Sequence, residues 1–446
     1  MRVFMLGWEF PPFISGGLGT ACFGLTRALD RLGTEVIFVL PRAVENPAGT
    51  HVQILSPASA AAQGSAFKLE GMFSHTQFRA VSATLHPYAR PEQAEADEDD
   101  GMPGGRLAPG GPSARRAVRA RRRSIVAGPP GDPGGNYAGD LFAEIERYAA
   151  LGSAVAAGEV FDVVHAHDWM TYPAGMAVQA RSGKPLVVHV HSTEFDRSGL
   201  NVNQRIYDIE RAGMHAATKV IAVSHLTRSI VLKHYGVDPR KVEVVYNAID
   251  EDGEQNQPEL PPITRDERIV LFLGRITMQK GPEYFLAAAK RVLEVMDNVR
   301  FVMAGSGDMI RRMIELAAEM GIGHKVLFTG FLRGNDVRRV YRMADLYVMP
   351  SVSEPFGLAP LEALANDVPV LISKQSGVAE VLNHALKVDF WDVDEMANKI
   401  IAVLRHPPLQ ATLRDHGSFE VKRFSWLDSA ANCIKVYEAA IGPQAS

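Results

Sequence analysis

Cysteine is scarce. Only Cys22 and Cys433 occur among 446 residues, at opposite ends of the chain and in no C-x-x-C or zinc-type spacing. That argues against a disulfide framework or a cysteine-built metal site, and fits a reducing cytoplasm. Long apolar runs are also missing. The first, Val3-Phe4-Met5-Leu6, is broken by Trp8-Glu9-Phe10-Pro11 and falls short of the about 7 to 15 residues of a secretory core. No run approaches the ~20 residues needed to cross a bilayer, so no transmembrane segment is expected. Nor is there an excess of either charge. With 47 Lys and Arg against 51 Asp and Glu the net charge is −4, which gives no overall attraction to nucleic acid. What remains is 46% hydrophobic and 22% charged, the balance of an ordinary globular protein. The length exceeds the roughly 250 to 300 residues at which a single core stops growing, so two domains are expected.

The periodicity is α/β. A strand at residues 2–6, a turn at Ser15-Gly16-Gly17-Leu18-Gly19, a helix closed by Gly33 and a strand at 35–40 form one βαβ unit. Further buried strands are predicted at 162–165, 186–191, 219–223 and 241–246, which makes residues 1–250 a doubly wound domain. Residues 90–136 interrupt it with Pro, Gly, an acidic block (Glu95, Asp97 to Asp100) and an arginine block (Arg115, Arg116, Arg119, Arg121 to Arg123). Such a stretch cannot bury enough apolar surface to offset its ordering entropy, so it reads as a disordered, solvated insertion, with docking of an anionic partner as the sharper alternative. A polar linker at 251–264 precedes a second βα series over 265–422, with strands at 269–273, 299–304, 326–329, 346–349 and 368–372 and helices at 282–295 and 309–319. The end, 423–446, carries an amphipathic helix over 426–441, for which a return to the first domain is open.

Ligands of open parallel sheets bind beyond the carboxyl ends of strands. Gly274-Arg275 follows one such strand, and Lys280-Gly281-Pro282 opens a helix. Two cations at a helix amino terminus suit a diphosphate, although exposed Arg and Lys are commonly mere surface charge. Gly305-Ser306-Gly307-Asp308 follows the next strand, but Ile310 stands where a dinucleotide fingerprint needs Gly or Ala; hydride transfer is poorly supported and a tight βα turn fits equally. In Glu354-Pro355-Phe356-Gly357-Leu358-Ala359-Pro360-Leu361-Glu362, Pro355 and Gly357 forbid a helix before Leu358. Glu354 then sits in a loop and Glu362 in the helix, where first-turn dipole stabilisation is the plain alternative for Glu362.

In the first domain Gly16-Gly17-Leu18-Gly19 lets backbone approach a ligand, or is a bare turn. His165-Ala166-His167-Asp168-Trp169 and His189-Val190-His191-Ser192-Thr193-Glu194 end strands, and strand alternation is expected to turn one histidine of each pair into the domain as a satisfied core residue. His167, Asp168 and Glu194 are crevice or acceptor-side candidates. No ligand spacing specifies a metal, and no D-x-D-like sequence (97–99, 250–252, 392–394) earns a catalytic divalent ion, so neither metal nor cofactor is expected.

Together, Gly16 to Gly19, His191-Ser192-Thr193, Asn247-Ala248-Ile249-Asp250, Gly274-Arg275, Gln279-Lys280-Gly281, Gly305 to Asp308, and Glu354 with Glu362 resemble the retaining GT-B glycosyltransferases of family four. Gly7-Trp8-Glu9-Phe10-Pro11-Pro12, His167-Asp168-Trp169 and Phe424-Ser425-Trp426 look most like the glycogen and starch synthase side. The resemblance implies two Rossmann-like domains facing a crevice, and transfer of a hexose, with glucose from ADP-glucose, UDP-glucose or another nucleotide sugar foremost, to a saccharide such as an α-glucan. It implies that Arg275 and Lys280 hold the diphosphate, Glu362 the ribose and Glu354 the donor sugar, with backbone of Phe356, Gly357 and Leu358 assisting. His191 would lie beside the anomeric centre and Gly17 would approach the diphosphate from the opposite domain. At Gln375-Ser376-Gly377-Val378 many relatives carry two adjacent glycines. A disaccharide synthase or nucleotide-sugar epimerase on the same scaffold is the alternative; a non-catalytic binding protein that docks through 90–136 is a third. The oligomeric state is not legible.

Overall fold

β1 (Arg2–Leu6) is apolar after its first residue and buried from Val3 to Leu6, the pattern of a strand covered on both faces. The computed structural model describes residues 1–10, 16–41, 66–67, 73–81, 141–249 and 267–442; the expected insertion at 90–136 and linker at 251–264 lie outside the described residues. The other strands of the first sheet are β2 (Glu35–Leu40), β3 (Ala66–Phe67), β4 (Thr76–Ala80), β5 (Val163–His167), β6 (Leu186–Val190), β7 (Lys219–Ala222) and β8 (Val242–Val244). Their order is β3-β4-β2-β1-β5-β6-β7-β8, parallel throughout except for the β3–β4 pair. The second sheet is formed by β9 (Arg268–Leu273), β10 (Val299–Ala304), β11 (Val326–Gly330), β12 (Leu346–Met349), β13 (Val370–Ser373) and β14 (Leu386–Val388), in the order β11-β10-β9-β12-β13-β14 and wholly parallel. Both sheets are doubly wound, as expected.

The helices of the first part are α1 (Gly17–Arg31), α2 (Leu141–Ala156), α3 (Tyr172–Ser182), α4 (Glu194–Ser198), α5 (Gln204–Ala216) and α6 (His225–Tyr235). Those that follow are α7 (Pro282–Leu293), α8 (Ile310–Glu319), α9 (Asn335–Met343), α10 (Leu358–Ala365), α11 (Val393–Arg405), α12 (Pro407–Val421) and α13 (Trp426–Ile441). Alternation divides each sheet between two layers. Phe4 and Leu6 face α2, α3 and α5, whereas Val3 and Met5 face α1 and α13. Val270 and Phe272 face α7, α8 and α11, whereas Ile269 and Leu271 face α9 and α10. Each fully buried side chain of this size contributes about 1.5 to 3 kcal/mol of transfer free energy, so two-sided burial is what holds the central strands.

Two strand ends depart from the sequence pattern for local reasons. Residues 239–241 form a 3-10 turn capped by Asp238, which shortens β8 from the expected 241–246. Asp367, at φ 60°, turns the chain and Pro369 lacks an N–H, so β13 starts at Val370 rather than 368. α13 does return to the first domain, burying Trp426, Cys433 and Tyr437 against α1. Where the chain crosses, Ile249 pairs in parallel with Ser425, and Ser429 Oγ donates to the Tyr246 carbonyl at 2.7 Å.

Candidate functional site

In each sheet the strand order reverses beside the first strand, between β1 and β5 and between β9 and β12, and the chain leaving these strands meets across a crevice. Arg275, half-buried, leaves β9 in a loop braced by the 305–307 turn: Ile276 N–H donates to Ser306 O at 2.9 Å and Met309 N–H to Ile276 O at 3.1 Å. A single 3-10 turn over 278–280 then ends at Gly281, φ 63°. A Cβ on Gly281 would lie 2.2 Å from the Pro350 carbonyl oxygen, so only glycine lets this turn press on the loop that follows β12.

That contact brings Lys280 to Glu354. Lys280 Nζ forms an ion pair with Glu354 Oε2, and Ser351 Oγ lies 3.3 Å from the same oxygen. Glu354 is buried, with its backbone paired to the neighbouring loop through Gln375 O and Gly377 N, both at 2.9 Å. Gly357 caps α10, which starts at Leu358 as the proline and glycine pattern predicts. Glu362 is the fifth residue of α10, so first-turn dipole stabilisation does not account for it. Its Oε2 lies 3.0 Å from the Tyr341 hydroxyl, which is also 3.1 Å from Ala359 O.

The facing wall belongs to the first domain. Gly17, exposed at the start of α1, would carry a Cβ 3.9 Å from Leu358 Cδ1, so the glycine turn and the α10 entry are directly apposed. Behind it the buried Glu9 carboxylate accepts the Gly19 N–H at 3.1 Å. α4, opened by a Thr193–Asp196 capping box, packs on the Lys280 turn, and Ser353 Oγ reaches across to Asp196 Oδ1 at 2.5 Å. Ser224, the N-cap of α6, places Oγ 2.6 Å from Pro355 O, and Glu380 accepts the N–H groups of His225 and Leu226 at 2.9 and 2.6 Å. In the Gln375 to Val378 loop the one glycine stands at a close approach between the domains. A Cβ on Gly377 would meet Pro355 O at 2.2 Å and Ser224 Cβ at 2.5 Å.

The histidines are not divided as expected. Residues i and i+2 of a strand share a face, so His165 and His167 stack on each other (centroids 4.2 Å apart) and on His189, beneath α1 and α13. His189 and His191 stack at 4.1 Å. His167 is fully buried and reaches the crevice only through His191, whose Nε2 lies 2.9 Å from His167 Nδ1. Burial holds the His191 and His165 imidazoles down to about 3, so both are neutral at physiological pH. Asp168 is buried as well. Its Oδ1 accepts the His191 and Ser192 N–H groups at 2.8 and 3.2 Å from a backbone held at φ 61°. Burial pushes its carboxyl up to about 7, opposed by Arg197 and those amides. Glu194 is a correction of the same kind. It is 1% exposed and spent on Arg197, Ser198 and the Asn203 N–H, a network that continues to Glu210 and Tyr235. Two overlapping sets, Cys22, His167, His191 and His165, His167, His189, each bring one metal-ligating atom per residue within 4.8 Å; both lie behind the crevice rather than at Lys280.

Sequence reasoning missed Tyr341, Glu9, Ser224, Glu380 and Ser353. Only Ser224 carries a local signal, as a Ser immediately before a helix; the others act through tertiary contacts.

Three family models tile the chain: a starch synthase catalytic domain over residues 2–93, glycosyltransferase family 4 over 107–252, and glycosyl transferases group 1 over 254–418. The chain is a glycosyltransferase with the GT-B fold. This glycosyltransferase is 28% identical to an uncharacterized glycosyltransferase of Methanocaldococcus jannaschii, with 99% of each chain covered. Its fold matches that of sucrose-phosphate synthase from Thermosynechococcus elongatus with a TM-score of 0.69 at 19% identity, and that of Anabaena HepE in complex with UDP-glucose with 0.64 at 15%, each over 98% of both chains. The enzyme is a hexosyltransferase, and its starch-synthase-like segment carries β1, the glycine turn and α1. No helix among the described residues is long and apolar enough to cross a membrane.

Proposed function

We propose that this enzyme transfers glucose, with retention at the anomeric carbon, from a nucleoside-diphosphate donor to a saccharide acceptor, an α-glucan being the leading candidate. The observation that carries the reading is the Lys280–Glu354 pair at the β9/β12 reversal, with Gly17 and His191 on the opposing wall. In this reading Glu354 recognises the sugar and the Lys280 ammonium is held where the diphosphate lies. Departure of a nucleoside diphosphate develops negative charge, and Lys280 with Arg275 and the α10 amides stabilises it in place; the transfer step itself uses no metal or other cofactor. Glu362, oriented by Tyr341, binds the ribose. His191, neutral and held by His167 and Asp168, lies beside the reacting carbon. The UDP-glucose complex of the HepE neighbour supports a glucose nucleotide as donor.

The test is a matrix of ADP-, UDP- and GDP-glucose against glycogen, glucose and glucose phosphates, with product analysis. Glucosyl incorporation that falls by about 10²-fold or more in folded Lys280→Ala and Glu354→Ala is expected; hydrolysis or epimerisation alone would refute it. Transfer to a small phosphorylated sugar is the second reading, favoured by the sucrose-phosphate synthase likeness. The same matrix separates the two.

A further inference from the structure

Behind His191 the first sheet holds a group of imidazoles that the transfer reaction does not use. His165 and His189 are 0 and 2% exposed, lie on the face of β5 and β6 turned toward α1 and α13, and take no part in the crevice. His165 Nε2, His167 Nε2 and both ring nitrogens of His189 are buried without a hydrogen-bond partner. Four orphaned nitrogens in one cluster mark a place where a ligand or water is expected, because buried polar atoms are otherwise paired. One nitrogen from each of the three rings already lies within 4.8 Å of the other two.

We propose that His165, His167 and His189 form a binding site for a zinc-class divalent cation. Three imidazole nitrogens are a ligand set suited to zinc, cobalt or nickel, and among the described residues no carboxylate joins the set to favour magnesium or calcium. For His165 and His167 the outer contacts are those of ligating histidines, whose second nitrogen is held by a partner; the second nitrogen of His189 has none among the described residues. His165 Nδ1 lies 2.7 Å from the Tyr437 hydroxyl on α13, and His167 Nδ1 lies 2.9 Å from His191 Nε2. The half-buried His191 marks the crevice side, from which the ion enters. The competing set, Cys22 with His167 and His191, contains only one of the orphaned nitrogens, His167 Nε2, against all four in the three-histidine set, which is therefore preferred.

Ligation fixes a tautomer. With the ion on His167 Nε2, the ring proton sits on Nδ1, so His167 donates to His191 Nε2 and the His191 proton is confined to Nδ1. The ion would thus set how His191 presents itself to the crevice, and it would tie β5 and β6 to α13 through Tyr437. This site is separate from the diphosphate site and does not depend on the donor assignment.

The test uses the full chain, stripped with a chelator, dialysed, and titrated with Zn2+ or Co2+ alone. Stoichiometric uptake by elemental analysis, visible bands of tetrahedral-type cobalt and a Tm rise of several degrees that chelator reverses are expected. A His165→Asn/His189→Asn double variant should lose all three, and Cys22→Ser should keep them. Should the double variant fail to fold, the wild-type titration still decides, since it needs no variant. Folded wild-type protein with no uptake, no bands and no Tm shift would overturn the site and leave those nitrogens to water. Loss of binding in Cys22→Ser would overturn the assignment of ligands.

Discussion

The hydroxyl of Ser224, at the first turn of α6 in one domain, lies 2.6 Å from the carbonyl oxygen of Pro355, next to Glu354 in the other. Ser224→Ala removes the shorter of two hydroxyl contacts to that buried oxygen, leaving Thr227 Oγ1 at 3.3 Å. A buried hydrogen bond is worth about 1 kcal/mol, so kcat/KM for the donor should fall roughly 5- to 10-fold with the circular dichroism spectrum unchanged. Steady-state kinetics identical to wild type would detach this contact from the site.

Lys280 and Glu354 should behave as a unit. Lys280→Ala is expected to lower kcat by about 10²- to 10³-fold, the usual scale for one preorganised donor to developing charge. Glu354→Gln keeps the shape and loses the ion pair, and the double variant should be little worse than either single one. Simple multiplication of the two single effects would show that the residues act independently.

Tyr341 serves Glu362. Because its hydroxyl lies 3.0 Å from Glu362 Oε2, Tyr341→Phe should raise the donor KM about 3- to 10-fold while kcat stays within about 2-fold. A kcat effect with unchanged KM would place Glu362 away from the ribose.

How much of this was readable in the sequence differs by residue. The loop position of Glu354, the start of α10 at Leu358 and the full extent of α13 follow from Pro, Gly and apolar spacing, which act locally. The roles of Asp168 and Glu194 do not. Both are carboxylates at strand ends, as sugar-binding residues are, yet the fold spends one on backbone amides and the other on Arg197. The histidine stack was misread through its period, since alternation separates neighbours, not residues two apart. Tyr341 became visible only when α9 and α10 were brought together, and Ser224, legible locally as a helix cap, showed its contact with Pro355 only in the assembled fold.

Glu420 on α12 provides a pH prediction. Burial would push its carboxyl up, but the N–H groups of His384 and Asn383 and their side chains outweigh it and hold it below the ordinary glutamate range. A depressed folded-state pKa stabilises above the unfolded value, and that stability is lost as pH falls through the folded one. Tm should therefore drop as pH is lowered below about 4.5, and less steeply in Glu420→Gln than in wild type. Parallel acid limbs would exclude Glu420 as the cause. Glu420→Ala strands the amide donors and should cost about 2 to 4 kcal/mol at neutral pH by urea denaturation.

The parallel pairing of Ile249 with Ser425 means that the chain crosses between the two domains twice, and at one place. A single tether would leave the second domain free to tumble. Two segments joined by that one bridged pair, with Ser429 Oγ donating to the Tyr246 carbonyl, make a doubled tether. The glycine turn before α1 and the entry to α10 thus stand face to face on two domains that are joined by a doubled connection.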